Sequence, residues 1–138
     1  MSIQEKADII EELEFLDDPE ERLQWLIDQG KKADLLTDEE RIDNFIVKGC
    51  MSQLWLVPSF ENGKVFFKAD SDAMIPKGLA SVITRVYNGM TPDEITAEDA
   101  SFLSEYGIEQ HLSMNRRNGL SQICKQIQLY AHTYKQLS

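Results

Sequence analysis

The stretch that most constrains the fold of this chain lies in its middle. Ser52-Gln53-Leu54-Trp55-Leu56-Val57-Pro58-Ser59-Phe60 is rich in apolar strand formers, and Lys64-Val65-Phe66-Phe67-Lys68-Ala69-Asp70 reads as a return strand. Between them, Glu61-Asn62-Gly63 supplies the turn, because Asn-Gly accepts the positive backbone φ that a two-residue hairpin requires. A third extended piece, Asp72-Ala73-Met74-Ile75, is expected to pair with the return strand.

Helical patterns flank this hairpin on both sides. A first helix is expected over Ile3–Phe15, with Ile3, Ile9, Ile10, Leu13 and Leu16 as its apolar members. Asp17-Asp18-Pro19-Glu20-Glu21 then opens a second: Asp18 caps the exposed amides, Pro19 takes the first helical position, and Glu21 completes a capping box. Leu23, Leu26 and Ile27 give this helix its apolar face, with Gly30 as its stop. Thr37-Asp38-Glu39-Glu40 is expected to open a short helical turn.

Beyond the hairpin the helical period resumes at Pro76, with Leu79, Val82, Ile83 and Val86 on one face and Gly89 as the stop. Thr91-Pro92-Asp93-Glu94 repeats the capping grammar, and a brief helix follows over Ala97–Ser104. The last helix, over Asn115–Gln136, carries Leu120, Ile123, Cys124, Ile127, Ala131 and Tyr134 at helical spacing. Helices around a small antiparallel sheet make this an α+β, two-layer domain. With no repeat or low-complexity linker, residues 1–138 are expected to form one domain.

Charge narrows the function classes. The 24 acidic residues outnumber 14 basic ones, for a net charge of −10. The first 45 residues hold 15 of the acids and 5 of the bases, so the whole imbalance belongs to that third. An acidic chain without a basic stripe lacks the footprint of nucleic-acid binding and is poorly suited to anionic membranes. The N-terminus has no basic start followed by an apolar stretch, and no apolar run approaches the roughly 20 residues that cross a bilayer. Together these point to a cytoplasmic domain whose two cysteines stay thiols.

The usual catalytic constellations are missing. The glycines form no phosphate-cradling cluster, and no Gly-x-Ser-x-Gly elbow is present. His111 and His132 are too few for a tetrahedral zinc set and read as a loop residue and a helix-surface residue. Asp70-Ser71-Asp72 reads as a turn between strands whose side chains accept local hydrogen bonds, rather than a metal loop. Of the two cysteines, Cys124 lies on the apolar stripe of the last helix. Cys50 follows Gly49 in a loop, and Gly49 leaves room for a second sulfur to approach. On its own, Cys50 reads either as an ordinary loop thiol or as a nucleophile.

Val47-Lys48-Gly49-Cys50-Met51-Ser52-Gln53-Leu54-Trp55 resembles the signature of the SufE family: aliphatic, any, Gly-Cys, any, Ser, any, aliphatic, Trp. Three further blocks follow in family order: Asp70-Ser71-Asp72-Ala73 with Ile75 and Lys77-Gly78-Leu79, then Met90-Thr91-Pro92 with Ile95, then Gln110-His111-Leu112 with Arg116 and Gly119-Leu120. Departures are small: Met51 where Gln is frequent, Pro76 at an often aliphatic position, and Arg117 as a second base beside Arg116.

The resemblance implies a SufE/IscU-like fold and a sulfur carrier. Cys50 would accept persulfide sulfur from a SufS-like, pyridoxal-phosphate-dependent cysteine desulfurase, stimulating it, and pass the sulfur to a SufB-like iron–sulfur scaffold. The pyridoxal phosphate belongs to the desulfurase, so no cofactor is expected on this chain. Gly49 belongs to the reactive loop, while Asp72 and Arg116 match positions tied to the loop environment and desulfurase contact. His111 is a weaker candidate for proton relay. Two other readings stay open: a docking activator that carries no sulfur, and a redox protein with a Cys50–Cys124 disulfide.

Overall fold

The hairpin forms in the register its turn dictates. In this computed structural model, which describes residues 2–16, 18–33, 36–47, 53–98 and 114–137, Leu54–Glu61 (β1) and Lys64–Ser71 (β2) pair antiparallel. Glu61 faces Lys64 across the turn and Leu54 faces Ser71 at the far end. Asn62 and Gly63 take φ of 52° and 78°, the left-handed pair that closes such a turn. Ile46 adds a single bridge beside Trp55, and Met90 adds one beside Val65.

Side-chain parity sorts the hairpin into two faces. Leu54, Leu56, Val65, Phe67 and Ala69 are buried on one face, against the helix α3 (Met74–Tyr87). Ser59, Phe66 and Lys68 are exposed on the other face, which closes over Trp55 and Asp70 at its far end. The helices α1 (Ser2–Phe15) and α2 (Pro19–Lys32) pack on α3. A short helix, α4 (Pro92–Ala97), packs on the long C-terminal α5 (Met114–Leu137). Their apolar residues, from Ile9 and Leu13 through Ile95 to Ile123, Ile127 and Ala131, share one core. The architecture is α+β, as the pattern predicts.

Three local expectations are corrected. The third extended piece is not a strand: the ladder stops at Ser71, and helix α3 begins at Met74. Pro76 is compatible with that early start because a first-turn amide has no intrahelical acceptor to lose. Asp70-Ser71-Asp72 therefore joins a strand to a helix rather than two strands. Gly30 does not end α2, which continues to Lys32. Its role is packing: a Cβ on Gly30 would sit 3.0 Å from the Gly78 nitrogen, and one on Gly78 would strike the Leu26 carbonyl. The two glycines let α2 and α3 cross backbone to backbone.

The caps follow the expected grammar in part. Asp18 accepts from the Glu20 amide at 3.0 Å, one residue short of the capping-box position, so the box expected with Glu21 does not form. At α4 the box is complete, with Thr91 and Glu94 each bonding the other's backbone amide. Thr37 and Glu40 form a hydrogen-bonded turn, and one 3₁₀ turn follows at Asp43–Phe45. Most of the helix expected over Ala97–Ser104 lies outside the described residues.

Candidate functional site

The chain enters and leaves the Gly49-Cys50 block at one place, the Leu54–Ser71 end of the hairpin. Ile46 and Val47 run antiparallel to the start of β1, and the Val47 amide donates to the Leu54 carbonyl at 2.8 Å. Val47 is buried, which anchors the entering strand in the core. The sequence sets Cys50 three residues from Val47 and three from Gln53. Cys50 and Gly49 themselves lie outside the described residues. Their frame does not.

Gln53, where the chain leaves the block, is held on both backbone groups. Its amide donates to Asp72 Oδ1 at 3.1 Å. Its carbonyl accepts from the Asp72 amide at 3.2 Å and from Ser71 Oγ at 2.6 Å. Ser71 Oγ also accepts from the Ala73 amide at 3.2 Å, which ties this clamp to the start of α3. Asp72, singled out from the sequence, is thus an exposed side chain whose carboxylate holds the Gln53 amide.

Asp70 carries the buried electrostatics. It is only 2% exposed, and it contacts Arg41 Nη2 at 2.7 Å and Lys77 Nζ at 3.3 Å. It also accepts from the Ser71 amide at 2.8 Å. Burial pushes its carboxyl up, but Arg41, the Ser71 amide and Lys77 together outweigh that and hold it below the ordinary aspartate range. Asp70 therefore pins three elements at one point: the segment before the loop through Arg41, the end of β2, and the first turn of α3 through Lys77.

This geometry accounts for a run of residues that the sequence presents only as a pattern. Asp70 binds Lys77, Ser71 and Asp72 clamp Gln53, Gly78 admits α2, and Leu79 is buried in the core. Arg41, which no block contains, and Gln53, which fills an unspecified position of the signature, are the participants that the sequence leaves unmarked. Arg41 lies 29 residues from its partner, and no spacing rule connects them.

Trp55, the last residue of the Gly-Cys signature, lies beside Asp70 across the ladder. It is 9% exposed, and its indole N–H has no hydrogen-bond partner among the described residues. Cys124 is half-buried against the core, as its helical stripe predicts, and His132 is exposed. The side chains of Arg116 and Arg117, and all of His111, lie outside the described residues. Among the described residues, no three His, Cys, Asp or Glu side chains converge on a possible metal position. No described helix is long and apolar enough to cross a membrane.

Residues 7–131 match the family model described as "SufE: Fe-S metabolism associated domain". An uncharacterized SufE-like protein of Synechocystis sp. is 34% identical over 129 residues, covering 94% of this chain and 81% of the relative. One from Rhizobium etli is 40% identical over 124 residues, covering 86% of this chain and 84% of the relative. The solution structure of a hypothetical protein from Thermus thermophilus superposes with a TM-score of 0.77 at 20% identity, covering 94% of each chain, and so shares the fold. From the Gly49-Cys50 block to the glycine crossing, and along most of its length, the chain belongs to the SufE family.

Proposed function

We propose that this protein is a sulfur carrier for iron–sulfur metabolism, with Cys50 as the acceptor. The Cys50 thiolate attacks the outer sulfur of a persulfide on the active cysteine of a SufS-like desulfurase. A sulfur–sulfur bond forms on Cys50 as the one on the desulfurase breaks, and the desulfurase cysteine leaves as a thiolate. No net oxidation occurs, and the chemistry is that of thiol–disulfide exchange. A thiolate on a SufB-like scaffold then takes the outer sulfur in the same way. The pyridoxal phosphate that releases sulfur from cysteine stays with the desulfurase.

The observation that carries this reading is the double clamp on Gln53 by Ser71 and Asp72, three residues from Cys50, in a chain of this family. A nucleophile handed between two protein partners benefits from a loop whose base is fixed. In this reading Asp72 is a positioning residue, Gly49 gives the incoming sulfur room, and Arg116 stabilises the thiolate or persulfide anion. The acidic surface and free-thiol chemistry fit a cytoplasmic protein that works without nucleic acid or membrane.

Intact mass after reaction with a SufS-like desulfurase and cysteine tests it. The protein should gain the mass of one sulfur atom, reversed by a thiol reductant. Cys50→Ser should abolish the gain, and Cys124→Ser should keep it. Loading that survives Cys50→Ser overturns the assignment. Desulfurase stimulation that survives Cys50→Ser without loading identifies a docking activator instead.

A further inference from the structure

The outer edge of β2 is half used. Hydrogen-bonded and non-hydrogen-bonded pairs alternate along an antiparallel ladder, starting from the bonded Glu61–Lys64 pair at the turn. That alternation turns the backbone groups of Val65, Phe67 and Ala69 away from β1. At Val65 the chain fills this edge itself: its amide donates to the Met90 carbonyl at 2.8 Å, and its carbonyl accepts from the Gly89 amide at 2.9 Å. At Phe67 a side chain substitutes, with Asn88 Oδ1 accepting from the amide at 2.6 Å. The Phe67 carbonyl and both backbone groups of Ala69 have no partner among the described residues.

A cavity of about 470 Å³ opens along this edge, in the size range of small-ligand sites. Phe67, Lys68 and Ala69 form one wall, Gln29 and Lys32 of α2 with Ala33 form the other, α3 supplies the floor, and Glu12 of α1 reaches the lining. The floor is polar, with Ser81, Thr84 and Arg85, and the buried Gln29 bonds Arg85 at 3.0 Å. Glu5 and Glu12 face Arg85, and Glu40 faces Lys68 at 3.5 Å, so these cations are partly neutralised. Lys31 and Lys32 at the end of α2 are exposed, and no described acidic side chain pairs with them. They are two of the five basic residues in the first 45.

We propose that the β2 edge at Phe67–Ala69 is a strand-addition site for an extended, acidic segment of a partner polypeptide. The Ala69 amide and the Phe67 and Ala69 carbonyls supply main-chain hydrogen bonds. A residue opposite Ala69 points to the α3 side, where a small polar side chain meets Ser81, Thr84 and Gln29. Its neighbours in the strand point to the Lys68 side, where carboxylates suit the lysine rim. Ala69 is two residues from Ser71, about 7 Å along the strand, so a docked segment lies next to the clamp on Gln53. The proposal does not depend on Cys50 chemistry.

The test uses the full chain, labelled for amide NMR, and a blocked five-residue peptide alternating glutamate and threonine. Saturable shifts centred on Ala69 are expected, with exchange of its amide slowed about tenfold or more as it becomes bonded. The double substitution Lys32→Glu with Lys68→Glu should weaken binding about tenfold, and a lysine–threonine peptide should not bind. Ala69→Pro removes the outward donor and should abolish binding. Should that variant misfold, the charge-reversal pair decides alone. Absence of shifts at Ala69, equal binding of the lysine peptide, or an Ala69 amide already protected without peptide (as in edge-to-edge pairing of two copies) overturns the proposal.

Discussion

The two ends of the hairpin are held by different physics. At the turn end, two adjacent residues set the shape, Asn62 and Gly63 at positive φ, and one distant aromatic contact, Phe60 stacked on Tyr134 with ring centroids 4.8 Å apart, completes it. At the loop end, partners come from 18 to 29 residues away: Ser71 and Asp72 on Gln53, and Asp70 on Arg41. One end is a local conformational preference completed by an aromatic contact. The other is a polar junction between a strand, a helix and the segment that leads into the Gly49-Cys50 block. The contrast separates what folds the hairpin from what presents the loop.

The sharpest break in that contrast is Asp70→Ala. It leaves Arg41 and Lys77 facing an empty site, and because both cations reach solvent the expected loss is about 2–3 kcal/mol rather than the full cost of a buried pair. Urea unfolding measures it, and a loss no larger than that of an ordinary surface substitution contradicts the junction. The pH dependence follows from the depressed carboxyl. Its stabilisation is complete above the unfolded-state value of about 3.9 and is lost as pH falls through the lower folded-state value. In Asp70→Asn that acid-side slope should flatten.

Gly63→Ala forces an L side chain into positive φ and should cost about 1–2 kcal/mol. Because it acts at the turn end, desulfurase-dependent sulfur loading of the folded variant should stay at the wild-type rate. A slowed rate means that the two ends are coupled. Asp72→Ala should be milder for stability, about 1 kcal/mol, yet slow sulfur loading severalfold. Asp72→Asn keeps an oxygen for the Gln53 amide and should recover most of the rate. If Asn fails as Ala does, the negative charge rather than the clamp is what matters. The smallest effect on function is Tyr134→Leu, which removes the stacked pair with Phe60 for about 0.5–1.5 kcal/mol and should leave sulfur loading unchanged.

The same division explains how much was legible in the sequence. Asn62-Gly63, the Thr91–Glu94 box and the stripe of Ile123, Ile127 and Ala131 are local signals, and each sits where its spacing puts it. The family blocks marked Asp70, Ser71, Asp72, Lys77 and Gly78 without saying what they do. Their roles depend on residues distant in the chain, which periodicity does not record. Met74-Ile75 reads as extended in the sequence because two apolar residues after a strand carry no period of their own. Gly30 reads as a stop because the sequence does not show that Gly78 lies opposite it and makes its missing side chain a packing feature.

That glycine crossing has an electrostatic consequence. The first 45 residues hold the entire net charge of −10, and α2, within them, meets α3 with no side chain between the two backbones at Gly30 and Gly78. Such a contact offers no rotamers through which the helices can slip. The acidic third is therefore fixed in direction relative to the first turn of α3, where Lys77 grips Asp70 beside the loop's clamp. An uneven charge held in a fixed direction exerts a torque on any charged macromolecule nearby, and that torque falls as salt is raised.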